Sequence, residues 1–267
     1  MIKIHQLKLP VQASVQDLKP ACAKLLKIKE QEIATLEVLR RSIDARKKPE
    51  LFFSYTLLLE TTLSRKEEER LVKHLRNRDI VLGERNVYCA PMLQETIAGV
   101  PRRSYFQEEA HRPIVVGFGP AGMFAALLLA RAGMHPIVYE RGASVEERVQ
   151  DVEAFWTTGK LDPDSNPQFG EGGAGTFSDG KLNTLTKDPD GRSRFILNLF
   201  VGYGADPSIL IDAKPHVGTD RLLDVVRGIR QEIEALGGEI HFHAKFCYDP
   251  ERDRERNIIL AIGHSAR

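Results

Sequence analysis

Six residues constrain this chain more than any others: Gly117-Phe118-Gly119-Pro120-Ala121-Gly122, a G-x-G-x-x-G run. The run follows Ile114-Val115-Val116, which reads as a buried strand, and opens the apolar stretch 121–132, which reads as a helix stopped by Gly133. In that setting each glycine has a task. Gly117 permits a tight turn, Gly119 lets a diphosphate approach the backbone, and Gly122 lets the helix pack closely on the sheet. The helix amino end, begun by Pro120 and Ala121, then offers unpaired N–H groups and a positive dipole to an anion. Glu140 ends the next strand, Ile137-Val138-Tyr139, 23 residues after Gly117. A carboxylate there accepts both hydroxyls of an adenosine ribose and repels a 2′-phosphate. The expectation is an adenine dinucleotide site, and the turn alone does not choose between FAD and NAD.

A length of 267 residues suggests about two domains at ~100–200 residues each. Charge divides the same way: residues 1–107 hold 20 Lys/Arg against 13 Asp/Glu, and residues 108–267 hold 18 against 24. In the basic part, a strand at 2–9 precedes a helix capped by Ser14 and Asp17 and carrying Leu18, Ala21, Leu25 and Leu26. Strands at 36–45 and 51–60 flank a turn at Lys47-Lys48-Pro49, a helix at 64–76 follows, and Ile80-Val81-Leu82 closes the series. The order β-α-β-β-α-β predicts a ferredoxin-like α+β domain over residues 1–100, with 101–111 as linker and 112–267 as an incomplete α/β domain. In the latter, Ser144 and Glu147 predict a capped helix whose Phe155 and Trp156 enter the core. Leu222, Val225, Val226, Ile229, Ile233 and Leu236 recur at helical spacing with Thr219 as the expected cap, and strands are expected at 240–246 and 258–260.

Cys22, Cys89 and Cys247 form no C-x-x-C pair, which excludes a disulfide framework, a cysteine zinc site and a paired redox disulfide, and points to a reducing cytoplasm. The start carries no basic stretch leading into an apolar one, and the longest apolar run, 123–130, is far short of the ~20 residues that span a bilayer. No export or membrane insertion is expected.

The segment 112–142, ending in Glu140-Arg141-Gly142, resembles the FAD-binding start of flavoproteins with two dinucleotide-binding domains. More narrowly, Phe169-Gly170-Glu171-Gly172-Gly173-Ala174-Gly175-Thr176-Phe177-Ser178-Asp179-Gly180-Lys181-Leu182-Asn183-Thr184 is similar to a block typical of the uncharacterised FAD-dependent dehydrogenases, also called NAD(FAD)-utilising dehydrogenases. Those proteins also carry an amino-terminal α+β domain with a segment like Arg41-Ser42-Ile43-Asp44-Ala45-Arg46-Lys47-Lys48-Pro49, and a segment like Leu260-Ala261-Ile262-Gly263-His264-Ser265-Ala266-Arg267.

The resemblance implies an α/β fold class, with a Rossmann-like FAD/NAD(P)-binding domain preceded by the ferredoxin-like one. It implies an FAD-dependent oxidoreductase of unknown small-molecule substrate, with NAD(P)H as candidate electron donor. FAD would be held by Gly117, Gly119, Pro120, Ala121, Gly122, Glu140, Arg141 and Gly142 on one side and by Gly173, Ala174, Gly175 and Thr176 on the other. Lys181 would add positive charge near the reduced ring, and Gly263 would return the chain to the cofactor. A glycine-dense, hydroxyl-bearing loop suits such a ring, because only small residues let it lie against backbone. The chain reaches the 260–263 motif through one charged loop, 251–256, and stops there. It reads as a shortened version lacking the carboxyl-terminal half that forms the substrate cap and completes the flavin pocket.

Several rivals share these residues. Gly170, Gly172 and Gly175 repeat the G-x-G-x-x-G spacing, but Asn166-Pro167-Gln168 before them is no strand. Gly175 to Lys181 fits a phosphate-loop pattern, yet Leu182 stands where a Ser/Thr should hold magnesium. His241 and His243 would share one strand face without a third metal ligand, and no metal is expected. His216 reads as a surface or capping residue ahead of an active-site one. The basic run Arg40, Arg41, Arg46, Lys47, Lys48 would bind RNA only if Phe52, Phe53 and Tyr55 lay exposed on the sheet, and Leu51-Phe52-Phe53 reads as buried, so no nucleic-acid partner is expected. Two other functions stay open: a nucleotide-sensing or RNA-associated binding protein with a non-catalytic dinucleotide, and an NAD-only dehydrogenase.

Overall fold

Ile2, Ile4, Leu7 and Leu9 cannot share one face of a regular strand, because the spacing changes parity between Ile4 and Leu7. The computed structural model resolves this with a bulge. It describes residues 1–46, 48–91, 93–182 and 188–263, so Lys47, Asn183, Thr184 and the segment 264–267 lie outside the described residues. Strand β1 (Ile2–Pro10) shifts register against its partner between Ile4 and Leu7, with Gln6 at φ 56°, and all four apolar side chains meet the core.

Two compact units make up the chain: residues 1–89, 182–201 and 206–216 form the first, and 90–181, 202–205 and 217–267 the second. In the first, β1 is followed by α1 (Leu18–Leu26), β2 (Ile33–Asp44), β3 (Phe52–Thr61), α2 (Arg65–Leu75) and β4 (Ile80–Leu82). The four strands pair antiparallel in the order β2-β3-β1-β4. Ile2, Ile4, Leu18, Cys22, Leu26, Ile33, Tyr55, Leu57, Leu59 and Ile80 form its core. Burial raises the Cys22 thiol to about 12, so it stays protonated and acts as a small apolar group. Residues 211–213 extend the outer edge of β2: the Arg41 N–H donates to the Ile211 carbonyl at 2.6 Å, the Ala213 N–H donates to the Arg41 carbonyl at 2.8 Å, and Arg41 pairs with Asp212. This bridge satisfies the edge-facing backbone N–H and C=O of Arg41.

The second unit opens with a two-residue hairpin, β5 (Thr96–Ile97) and β6 (Val100–Pro101), and a short α3 (Arg102–Tyr105). Residues 101–111 are ordered against this unit: Phe106 is buried, the Arg102 guanidinium donates to the Ala132 carbonyl at 2.9 Å, and Tyr105 stacks on His111. There follow β7 (Ile114–Val116), α4 (Pro120–Arg131), β8 (Ile137–Tyr139) and α5 (Val145–Thr158). After α6 (Arg192–Gly202), whose residues to Val201 belong to the first unit, come α7 (Thr219–Ala235), β9 (Glu239–His241), α8 (Pro250–Asp253) and β10 (Ile258–Leu260). Strands β7 to β10 form an all-parallel sheet in the order β10-β7-β8-β9. The chain thus builds outward from β7 in one direction and returns to its other side with β10. The fold is mixed α/β, and among the described residues no helix is long and apolar enough to cross a membrane.

Four local expectations are corrected. The strand expected at 240–246 ends at His241, because His243 turns at φ 52° and its N–H donates to the Gly142 carbonyl. His241 and His243 therefore do not share a strand face, and His243 instead meets Glu147 at 2.7 Å. Trp156 is not core: it is 66% exposed, since the buried stripe of α5 runs through Val145, Arg148 and Val152. Gly218, not Thr219, caps α7, and the Thr219 hydroxyl donates to the Ser178 carbonyl.

Candidate dinucleotide site

The turn after β7 lies where the strand order reverses, outside the carboxyl ends of β7 and β10, the position at which open α/β sheets bind ligands. Two of its glycines are required by the protein itself. A Cβ on Gly117, which has φ 96°, would stand 2.6 Å from the Ala261 carbonyl oxygen, and one on Gly122 would stand 1.9 Å from the Gly117 carbonyl oxygen. Gly119 differs. It caps α4 at φ −73° and ψ −175°, a conformation open to any residue, and a Cβ there would meet no atom within 4 Å. Nothing within the fold asks for glycine at this position, whereas a ligand laid against the backbone would.

Glu140 is 6% exposed and sits beside this turn. Its carboxylate accepts the Phe118 N–H at 2.6 Å and the Gly142 N–H at 2.8 Å. Two of its roughly four acceptor positions are thereby used. Arg141 next to it pairs with Asp164 at 3.2 Å and lies over the Phe169 ring. Gly142 is close-packed, since a Cβ would stand 2.4 Å from the Asp164 carbonyl oxygen.

The second glycine segment comes to the first. The Gly172 N–H donates to the Phe118 carbonyl at 2.9 Å, and a Cβ on Gly173 would touch Pro120 at 3.0 Å. Ala174, Gly175 and Thr176 form a 3-10 turn after it; a Cβ on Gly175 would meet nothing within 4 Å, and the buried Thr176 hydroxyl has no hydrogen-bond partner. Ala261 joins from the β10 side, its N–H donating to the Val116 carbonyl at 2.8 Å, and Gly263 follows two residues on at φ 59°. Lys181 is not drawn in: its ammonium is exposed and pairs with Asp179 at 2.7 Å, which raises its proton affinity. His216 is exposed and belongs to the first unit. Tyr55 lies in the core of that unit and Phe53 packs against it, so the sheet offers no open aromatic triad.

Two residues that sequence reasoning passed over organise this region. Arg148 is fully buried on α5, and Glu171 is fully buried in the second glycine segment. Their signal was local: Arg148 occupies an apolar stripe position, three after Val145 and four before Val152. Burial pulls the Arg148 guanidinium down to about 10, opposed by the charges of Glu140 and Glu171. Burial also pushes the Glu171 carboxyl up to about 7, against the opposing pull of the Val145 N–H, which it accepts at 2.6 Å, and of Arg230 at 3.4 Å.

The Glu171 shift predicts a pH effect. A carboxyl whose folded pKa lies above its ordinary 4.5 stabilises the fold fully below about pH 4.5, and that contribution is lost as pH rises through about 7. At ~1.4 kcal/mol per unit, the loss is on the order of 3 kcal/mol. Denaturant unfolding of Glu171→Gln at pH 5 and pH 8 is expected to show a flatter pH dependence than the unsubstituted protein. Equal slopes would remove the buried acid from the account.

Residues 1–60 match the family model described as a domain of unknown function (DUF8436). Over its whole length the chain is similar, at 41% identity across 280 aligned residues, to an uncharacterised protein of Clostridium beijerinckii, and it spans about half, 49%, of that relative's length.

Proposed function

We propose that the second unit is a Rossmann-like dinucleotide-binding domain that holds FAD, preceded by a ferredoxin-like domain, and that the protein is an FAD-dependent oxidoreductase akin to the uncharacterised FAD-dependent dehydrogenases. The observation that carries this reading is the open space beside Gly119, at the amino end of a twelve-residue helix and next to the Glu140 carboxylate. An anion placed there meets the first-turn N–H groups and the helix dipole. The Glu140 lone pairs not taken by Phe118 and Gly142 suit the ribose hydroxyls. The segment of Gly173, Ala174, Gly175 and Thr176 is the candidate flavin side, supported by the small residues it sets beside Pro120 and by the unpartnered Thr176 hydroxyl.

Bound flavin would supply the hydride or electron transfer. The chain's own residues bind and orient it: Glu140 selects a sugar without a 2′-phosphate, and the α4 amino end neutralises the diphosphate. Proximity of the second glycine segment favours FAD over NAD alone, because NAD needs only the first turn and the acid. NAD(P)H as electron donor and a cytoplasmic location belong to the same proposal. The experiment is a direct titration of the purified protein with FAD, NAD and ADP, followed by absorbance and fluorescence. FAD binding tighter than NAD supports the reading. Tighter NAD than FAD would replace it with a nicotinamide-only dehydrogenase.

A further inference from the structure

The side chain of Arg148 points into the second unit from the buried stripe of α5, where an aliphatic residue would pack at less cost, since a guanidinium must give up its water. Four of its five N–H donors go to backbone carbonyls of one loop. Nε donates to Asn166 at 3.0 Å, Nη1 to Glu171 at 2.6 Å and Gly173 at 2.8 Å, and Nη2 to Pro167 at 3.0 Å. The Phe177 ring of the same loop lies 4.7 Å from the guanidinium carbon. Among the described residues no carboxylate is hydrogen-bonded to it, although Glu140 and Glu171 are near enough to favour its charge. A surface ion pair does not explain this arrangement, and neither does packing alone.

We infer that Arg148 is a positioning residue for the dinucleotide: it gathers the carbonyl oxygens of Asn166, Pro167, Glu171 and Gly173 to one side, so the second glycine loop meets the ligand with those acceptors withdrawn. A phosphate or a polar flavin edge is repelled by carbonyl oxygens and attracted by N–H groups. A loop of glycines has no intrinsic preference for either orientation of its peptide planes. A planar fork of five donors fixes four of those oxygens at once, which a lysine ammonium with three donors cannot do. The first glycine turn needs no such device, because β7 and α4 fix it from both ends. The inference rests on the FAD reading and adds to it the residue that makes the second loop receptive.

The test separates the two halves of the ligand. ADP carries the ribose and diphosphate that Glu140 and the α4 amino end would hold, and FAD adds the part facing the second loop. Affinities for both are measured by titration in the unsubstituted protein and in Arg148→Met and Arg148→Lys, with the thermal midpoint of each. Arg148→Met is expected to weaken FAD by at least ~30-fold with ADP changed by less than ~3-fold, and Arg148→Lys to fall between, because charge alone does not replace the fork. Should Arg148→Met fail to fold, the same split in Arg148→Lys decides. Equal losses for both ligands would mean a merely structural residue, and unchanged FAD affinity would mean none is needed; either overturns the assignment alone. Unsubstituted protein that binds neither FAD nor ADP overturns the FAD reading and the assignment with it.

Discussion

Gly119→Asp is expected to weaken FAD binding by more than ~100-fold while leaving the thermal midpoint unchanged or slightly higher. The two effects have opposite signs because the position caps α4 and, on the proposed reading, also faces the diphosphate. As the residue capping α4 in an extended conformation, with no atom within 4 Å of a Cβ, it accommodates aspartate without strain. An aspartate there accepts an N–H of the first helical turn, and relative to glycine it gains a few tenths of a kcal/mol, roughly. The same carboxylate fills the space assigned to the diphosphate and repels it. Binding isotherms and melting curves of the one variant check both halves, and a variant that loses stability as well as affinity would point to a structural glycine.

Gly122→Val is expected to destabilise the second unit by at least ~3 kcal/mol and to leave little folded protein to bind anything. Its Cβ would overlap the Gly117 carbonyl oxygen at 1.9 Å, which is backbone and cannot rotate away. Gly117 is itself held, with φ at 96°, its N–H on the Tyr139 carbonyl at 2.8 Å and the Ala261 carbonyl against its Cα face. Relief would require β7 and α4 to separate. Denaturant unfolding followed by circular dichroism measures the cost. A stable, soluble Gly122→Val protein would show that strand, turn and helix are not packed as described.

The contrast between Gly119 and Gly122 shows what a sequence carries and what it does not. Three glycines at fixed spacing after an apolar run were legible because their meaning is local: the strand at 114–116 and the helix from Pro120 stand where the pattern places them. The antiparallel sheet of the first unit was legible in the order of its strands and helices, although the parity change between Ile4 and Leu7 interrupts the period of β1. Local pattern failed where a distant partner decides. Trp156 follows the apolar rhythm of α5 yet lies in solvent, while Arg148 breaks that rhythm and is buried, because the loop 166–173 brings carbonyls to the position of Arg148 and nothing to that of Trp156. The strand expected through Phe246 ends at His241 because the next residues bond to Glu140 and Gly142 across the chain. Residues 211–213 join the edge of β2 from 170 positions away, a pairing that no window along the sequence contains.

A crystal structure of the protein grown with FAD would locate the cofactor directly. Diphosphate oxygens are expected within hydrogen-bond distance of the N–H groups at Gly119 to Gly122, with an adenosine ribose on the Glu140 carboxylate and the flavin against residues 173–176. FAD lodged elsewhere, or a Glu140 carboxylate turned only toward Phe118 and Gly142 with no sugar beside it, would contradict this placement.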